Sequence, residues 1–294
     1  MTEISRSGFV GIIGAPNAGK STFLNQVLGQ KISITSKKPQ TTRDRILGIV
    51  NRPHSQLVFL DTPGIHKSTT LLNQRIVDQA IQAMADVDLI LFMVDTASRN
   101  YSAEKLIVKR FENAGKPVIL GLNKIDLSKK AAVYELVEEF SGLYDFKAIV
   151  PVSAKKNVQV DNLLDEIEKN LPEGPPLYPE ETFTDVSEKF MVSEIVREKV
   201  FRLTGMEIPY SSAVTVDAFE VEKKLIVIHA SIHLVRKSQK GIIIGKKGSM
   251  LQRIGSSARK DIEQMLGSKV LLKLFVKVTK DWVSNERRLS EFGY

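Results

Sequence analysis

Residues Gly14 to Ser21 read GAPNAGKS and stand between the apolar run FVGII and the amphipathic run TFLNQVL. An apolar run of β-branched residues, a glycine-bounded turn and a helical period in succession admit few folds: a strand must enter a tight loop that delivers the chain into a helix. The spacing Gly-x-x-x-x-Gly-Lys-Ser is that of a phosphate loop. Its glycines turn successive N–H groups inward, and the following helix adds its positive end. Lys20 neutralises phosphate charge, and Ser21 offers a hydroxyl to Mg²⁺. A pattern with so few fixed positions also arises as an ordinary turn, so the rest of the chain has to decide.

The first 170 residues alternate short apolar runs (FVGII, ILGIV, LVFLD, LILFMV, VILGL, AIVPV) with amphipathic stretches such as LNQRIVDQAIQAMA, AEKLIVKRFENAG and AVYELVEEFSGLY. That order predicts an open, mostly parallel six-stranded α/β sheet. The second and third runs are separated only by Asn51 to Ser55, too short for a helical crossover, which predicts one antiparallel hairpin. Four prolines fall between Pro172 and Glu180. A helix cannot run through them, so the sequence places a domain linker at 172–180, between a domain over 1–171 and another over 181–294.

Three further motifs close predicted strands. Asp61-Thr62-Pro63-Gly64 ends LVFLD, where the carboxylate suits a magnesium site and the Gly64 N–H a γ-phosphate. Asn123-Lys124-Ile125-Asp126 ends VILGL. The Asp126 carboxylate matches the paired N1–H and N2–H donors of guanine and would be left unpaired by adenine. Ser153-Ala154-Lys155 follows the sixth strand and backs the base. All of them fall at carboxyl ends of parallel strands, where such sheets bind ligands. Together they predict a GTP and GDP site made of Gly14, Ala15, Pro16, Asn17, Ala18, Gly19, Lys20 and Ser21, with Asp61, Thr62, Pro63, Gly64, Asn123, Lys124, Asp126, Ser153, Ala154 and Lys155. Order and spacing resemble the P-loop GTPase domains of the translation-factor class.

Between loop and Asp61 lies KKPQTTRD, residues 37–44, polar and rich in hydroxyls. A threonine here would join Ser21 and Asp61 on the metal only with γ-phosphate present, making the segment a switch. The residues alone do not separate Thr41 from Thr42. The resemblance to GTPases with a Thr-Thr-Arg switch favours Thr42. Position 65, which holds a water-orienting glutamine in Ras-like proteins, is isoleucine, followed by His66, so slow intrinsic hydrolysis is expected. The expected catalytic set is Lys20, Thr42, Gly64 and Asn17. The resemblance implies a potassium ion at Asn17 in place of an arginine finger.

The chain carries 42 Lys+Arg against 34 Asp+Glu, a net +8, and the excess is C-terminal. Residues 181–294 hold 20 basic and 14 acidic side chains, and the stretch from His233 to Lys260 has eight cations and no acid. A polyanion partner follows. Within that stretch Gly245-Lys246-Lys247-Gly248 separates two helical runs in an α-β-β-α-α-β order. A Gly-x-x-Gly loop of this kind admits a nucleic-acid backbone, with lysines on phosphates. This half resembles a type II KH domain, a small α+β fold. Lys240, Ile242, Ile243, Ile244, Gly245, Lys246, Lys247, Gly248 and Arg253 are its expected RNA surface. Trp282, the only tryptophan, is expected to pack at the C-terminus.

No cysteine is present, which fits a reducing compartment. No apolar run approaches the roughly 20 residues of a membrane span, and the N-terminus has no leader pattern, so a cytoplasmic protein is expected. GAPNAGKS, QTTR, DTPG, NKID and SAK, followed by EIVREKVFRLTGMEIPYS and GIIIGKKG, resemble the Era family of bacterial GTPases over nearly the entire chain. The resemblance implies binding to the 3′ end of 16S rRNA, action in assembly of the 30S ribosomal subunit, and peripheral contact with the inner face of the cell membrane; a monomer is expected. Two other readings are weighed. A GTPase of tRNA modification or translation would need a further catalytic or tRNA-docking domain. A KH protein with a vestigial nucleotide domain is at odds with intact Lys20, Ser21, Asp61 and Asp126.

Overall fold

The computed structural model describes residues 6–36, 41–43, 45–64, 84–205, 207–223 and 225–292. They form two compact units, one of residues 6–33, 42–64 and 84–185 and one of 34–36, 41 and 186–292.

In the first unit, strands β1 (Arg6–Ile13), β2 (Ile46–Arg52), β3 (Ser55–Asp61), β4 (Leu89–Asp95), β5 (Val118–Asn123) and β6 (Ala148–Val152) form one sheet in the order β2-β3-β1-β4-β5-β6. Only β2 runs antiparallel, paired with β3 across the turn at Pro53 and His54. Every residue of β3 and β5 is buried. Parallel strands covered on both faces read as continuous rather than alternating apolar runs, which is how LVFLD and VILGL appear in the sequence. Helices α1 (Lys20–Leu28), α2 (Ser102–Ala114), α3 (Lys130–Ser141) and α4 (Val160–Asn170) follow strands. Helices α1 and α2 stop at Gly29 and Gly115, whose φ of 66° and 60° a side chain would oppose. Phe92 of β4 meets Phe111 and Phe140 at ring distances of 5.1 and 6.3 Å, which ties α2 and α3 to the sheet. The helix expected over 72–85 lies almost wholly outside the described residues.

The proline-rich stretch 172–180 is not a free linker. Gln56, fully buried on β3, accepts from the N–H groups of Leu177 and Tyr178 and donates to the Tyr178 carbonyl. The Ile49 N–H donates to the Phe183 carbonyl, and Thr184 Oγ1 donates to the Leu47 carbonyl, on the edge strand β2. The first unit therefore extends to Asp185 rather than ending at 171. Prolines lack donors, but their neighbours' amides still need partners, and a sheet edge supplies them.

In the second unit, helix α5 (Glu188–Leu203) precedes strands β7 (Ser212–Glu222) and β8 (Leu225–Leu234), then α6 (Lys237–Ile244), α7 (Ser249–Leu266) and β9 (Val270–Val278). Strand β8 is central, antiparallel to β7 and parallel to β9. Alternate residues of β8, from Ile226 to Leu234, bury against Val196 and Val200 of α5 and Ile254, Ala258 and Ile262 of α7. Each such aliphatic side chain contributes roughly 1.5–3 kcal/mol by leaving water. A short helix, α8 (Glu286–Glu291), is the last element among the described residues. Trp282 is fully buried beside it, its Nε1 donating to the Ser211 carbonyl, as its C-terminal packing role requires.

Candidate nucleotide site and nucleic-acid groove

The register of the parallel strands decides which residues meet. Ile12 pairs with Asp61, Asp95 with Asn123, and Asn123 with Val152, so the loops after β1, β3, β5 and β6 leave the sheet together at the carboxyl end of its parallel strands. The loop from Gly14 to Gly19 lies against this end of the sheet because its small residues permit it. A Cβ on Gly14 would stand 2.4 Å from the Met93 carbonyl oxygen, and one on Gly19 would stand 2.2 Å from Asn123 Nδ2. Gly19 also has φ 98°, so no other residue fits. A Cβ on Gly64 would meet Pro16 at 2.7 Å, and Thr62 Oγ1 donates to the Ile12 carbonyl at 2.8 Å. Asp61 to Gly64 is thus pressed onto the phosphate loop.

Lys20 is buried, and its ammonium donates to the Gly14 and Ala15 carbonyls at 3.0 and 3.1 Å. Burial lowers its pKa to about 8, against the opposing pull of Asp61 and Glu104. Ser21 Oγ lies 2.7 Å from Asp61 Oδ2 and 2.8 Å from Thr42 Oγ1. These are the three oxygen-bearing side chains that the sequence assigns to Mg²⁺. Burial raises the pKa of Asp61 despite hydrogen bonds from Ser21 and Ser33 and the charge of Lys20. Its other oxygen, Oδ1, is buried with no hydrogen-bond partner among the described residues. A hard-oxygen set with one orphaned carboxylate oxygen suits a hard divalent cation. Of the two adjacent threonines, Thr42 brings its hydroxyl to this set, whereas the Thr41 carbonyl accepts from Arg197 at 2.5 Å.

At the base end, Ser153 Oγ donates to Asp126 Oδ1 at 2.6 Å, which orients that carboxylate. Asn123 is spent on the protein: its Nδ2 donates to the Ala18 carbonyl, its Oδ1 accepts from the Ala154 N–H, and only 2 % of the residue is exposed. It therefore joins the phosphate loop to the Ser153-Ala154-Lys155 turn. Lys124, with φ 68°, reaches Asp95 Oδ2 at 2.6 Å. Asn17 is exposed with φ 64° at the crest of the loop. Residues 37–40, Asp44, Ile65 and His66 lie outside the described residues.

Sequence reasoning missed two residues here. Ser33, fully buried, donates to Asp61 Oδ2 at 2.9 Å and is held by Asn25, whose Oδ1 accepts from the Ser33 N–H. Nothing local marks it. Asp95 could have been found, since it is a strand-terminal acid at the same carboxyl end of the sheet.

In the second unit, Gly245 to Gly248 turn between α6 and α7 with φ 71° at Gly245 and 81° at Gly248. Lys247, between them, adopts φ 51°, and the side chains of Lys240, Lys246 and Lys247 are exposed. Beside this loop a groove of about 500 Å³ runs between α7 and β9, lined among others by Leu251, Gly255, Ser256, Arg259, Leu272 and Leu274. One of the expected RNA residues needs correction. Ile243 is fully buried in the core and offers no surface, because the inward face of α6 falls on it while Ile242 is 52 % exposed. Arg253 is exposed on α7, as a surface contact requires, and Arg259 on the same helix lines the groove. Gly255 and Ser256, small residues at the groove wall, carried no signal in an otherwise ordinary amphipathic helix.

Two family models match the chain: a 50S ribosome-binding GTPase over residues 9–124 and a KH domain over residues 207–283. Over their full lengths the chain is 51 % identical to the GTPase Era of Geotalea uraniireducens. It is also 51 % identical to that of Geobacter metallireducens, covering 98 % of each chain. Among solved structures it is similar to a single-residue variant of Aquifex aeolicus Era bound to GDP·AlF₄⁻, at 41 % identity and TM-score 0.94, covering 98 % of this chain and 99 % of that one. It is similar at 41 % identity and TM-score 0.95 to Era in complex with MgGDPNP and nucleotides 1506–1542 of 16S ribosomal RNA, covering 99 % of each chain. With the same motifs in the same two folds along its whole length, the chain belongs to the Era family of GTPases.

Proposed function

We propose that the chain binds GTP, hydrolyses it to GDP and phosphate, and uses this cycle to hold and release the 3′ end of 16S rRNA during assembly and rRNA maturation of the 30S subunit. The observation that carries the reading is the convergence of Lys20, Ser21, Thr42, Asp61, Gly64 and Asp126 at the carboxyl end of one parallel sheet, on a chain that also bears the Gly245–Gly248 loop and its groove. Related Era chains, crystallised with GDP·AlF₄⁻ and with MgGDPNP and 16S rRNA, lend it support.

Lys20 exchanges its two carbonyl partners for phosphate oxygens, a stronger charge-assisted pairing. Ser21, Thr42 and Asp61 would hold Mg²⁺, which supplies charge neutralisation at the β and γ phosphates. The Gly64 N–H is placed for the γ-phosphate, and Asp126, oriented by Ser153, selects guanine. With isoleucine at 65, no glutamine orients the attacking water, so intrinsic turnover is slow. Asn17 would hold a potassium ion; equal rates in potassium and sodium at matched ionic strength would remove that assignment. Lys240, Lys246, Lys247 and Arg259 contact RNA phosphates, and Ile242, Ile244, Leu272 and Leu274 meet bases. We place the chain in the cytoplasm as a monomer, with any contact to the inner face of the cell membrane peripheral. No helix among the described residues is long and apolar enough to cross a membrane.

The test is equilibrium binding of the intact protein to a single-stranded RNA matching the 3′ end of 16S rRNA and to a scrambled RNA, each with GDP and with a non-hydrolysable GTP analogue. Tighter binding of the matched RNA in the GTP form is expected. Equal binding in all four conditions would sink both the sequence preference and the switch.

A further inference from the structure

The turn that carries Asp126 holds one residue in an unfavourable backbone conformation. Lys124 adopts φ 68° and ψ 33°, in the left-handed region where glycine or asparagine would sit more easily. A residue kept in such a conformation points to a task for its side chain.

Three fixed points define the path of that side chain. Its backbone is set by the turn, where the Leu127 N–H donates to the Lys124 carbonyl at 2.8 Å. Its Cε lies 4.0 Å from where a Cβ on Gly19 would stand, beside the phosphate loop. Its ammonium donates to Asp95 Oδ2 at 2.6 Å. The four-carbon stem therefore stretches from the Asp126 turn to the phosphate loop, with its charged head held at the end of β4. A nucleoside that joins a base on Asp126 to phosphates in the Gly14–Gly19 loop has to pass along this stem.

Asp95 is itself held in place. It is the last residue of β4 and the register partner of Asn123, the residue before Lys124. Its Oδ1 accepts from the Ala97 N–H at 2.9 Å, which leaves Oδ2 for the lysine. Tyr101 Oη lies 3.2 Å from the carbonyl oxygens of both Asp95 and Thr96. The Thr96 N–H donates to the Asn123 carbonyl at 2.9 Å, and Ser128 Oγ donates to Thr96 Oγ1 at 2.9 Å. The turn after β4 is thus tied to the turn after β5 by two bonds besides the Asp95–Lys124 pair. In that pair the side chains are 29 % and 21 % exposed, lysine first. An ion pair so open to water adds little to stability, so what it provides is direction.

We propose that Asp95 is a positioning residue of the nucleotide site: it anchors the Lys124 ammonium so that the lysine stem is laid out as a wall for the nucleoside before any nucleotide arrives. This rests on the reading of the site as one for GTP and GDP. A loose lysine has to give up its rotamer freedom at each binding event, and the anchored one has already done so. The gain is common to GDP and GTP, because the wall faces the nucleoside rather than the γ-phosphate. It belongs to release more than to capture, since changes at a binding surface act mostly on dissociation.

The test is a double-mutant cycle in the intact protein on Asp95→Asn and Lys124→Met, read as association and dissociation rates for GDP and for a non-hydrolysable GTP analogue with Mg²⁺. Asp95→Asn keeps an acceptor for the Ala97 N–H and removes the charge, whereas Lys124→Met keeps most of the stem and removes the ammonium. Asp95→Asn alone should weaken both nucleotides by about tenfold, the upper end of the cost of immobilising one long side chain. The loss should come from faster dissociation, with association within twofold and the melting temperature of the nucleotide-free protein unmoved. In the Lys124→Met background the same change should cost less than twofold. A tenfold loss in both backgrounds would reduce Asp95 to a support of its own turn and overturn the proposal. So would an unchanged affinity in Asp95→Asn, or a loss confined to the GTP analogue. A wild-type protein that holds ATP as tightly as GTP would refute the guanine reading instead, and the cycle run with the nucleotide that binds would still decide on Asp95.

Discussion

Lys20 shows how a single residue carries a pH signature. Its ammonium is buried against two carbonyls, and burial holds its pKa at about 8. Phosphate oxygens favour the charged form and raise that pKa, so above about pH 8 nucleotide binding must draw a proton from solution. Titration calorimetry at pH 8.5 in buffers of different ionisation enthalpy should register net proton uptake of more than about half a proton, nearly absent at pH 6.5, with affinity falling as pH rises. Asp126 offers a second test at this scale. Asp126→Asn removes the acceptor pair that matches guanine and should shift preference toward xanthine nucleotides by a hundredfold or more in competition binding. Unchanged guanine preference would disprove the assigned role. The spacing of the motifs named both residues in advance. Asn123 was legible as a site residue, but its work as a strut between Ala18 and Ala154 was not, because that depends on which backbone groups the fold leaves beside it.

At the scale of elements, helix α7 and strand β9 make the groove, and Gly255 keeps it open. A Cβ there would stand 3.4 Å from Leu274, and a longer side chain would extend into the groove. Gly255→Leu should lower matched-RNA affinity at least tenfold in fluorescence anisotropy, with nucleotide affinity unchanged. The helix itself should gain up to about 1 kcal/mol from losing a glycine, so poor folding would not explain the loss. On the other face of the same sheet, His233 lies between Thr215 Oγ1 and Thr279 Oγ1 at 3.0 and 3.1 Å, under the Phe292 ring. Burial, with the charges of Lys277 and Arg288 and against the pull of Asp217, lowers its pKa to about 4. Between roughly pH 6.5 and 4 the unfolded chain binds the proton and the folded chain refuses it, so stability falls as pH drops through that window. Urea unfolding followed by Trp282, the single tryptophan, should give a lower midpoint at pH 5.0 than at pH 7.0. His233→Gln should flatten the difference.

The whole molecule joins a phosphate-binding sheet to a basic RNA-binding domain, and salt separates their contributions. With Lys240, Lys246, Lys247 and Arg259 on phosphates, log K for RNA should fall against log salt with a slope of about −3, from about 0.7 per contact on a single strand. Replacing Lys246 and Lys247 by alanine should shallow the slope by about 1.4, whatever the RNA sequence. An unchanged slope would remove those two lysines from the phosphate contacts. The same scale explains where reading the sequence fell short. Four prolines marked 172–180 as a linker, because proline chemistry forbids helix and central strand. That the stretch is instead pinned along β2 and β3 follows from Gln56, whose buried amide finds Leu177 and Tyr178 more than a hundred residues away.

By itself the sequence determined the order of the strands, the antiparallel hairpin, the glycine-bounded turn at 14–19, the place of Asp126 just past the fifth strand and the Gly245–Gly248 turn. These depend on local backbone geometry and on side-chain period, which neighbouring residues fix among themselves. Tertiary structure decided which distant groups meet: Ser33 on Asp61, Ile243 in the core rather than the groove, and the Arg197 guanidinium on the Thr41 carbonyl 156 residues away. Each of those depends on a buried polar or apolar group finding the partner that packing leaves within reach, and no local pattern encodes the partner's place in the chain.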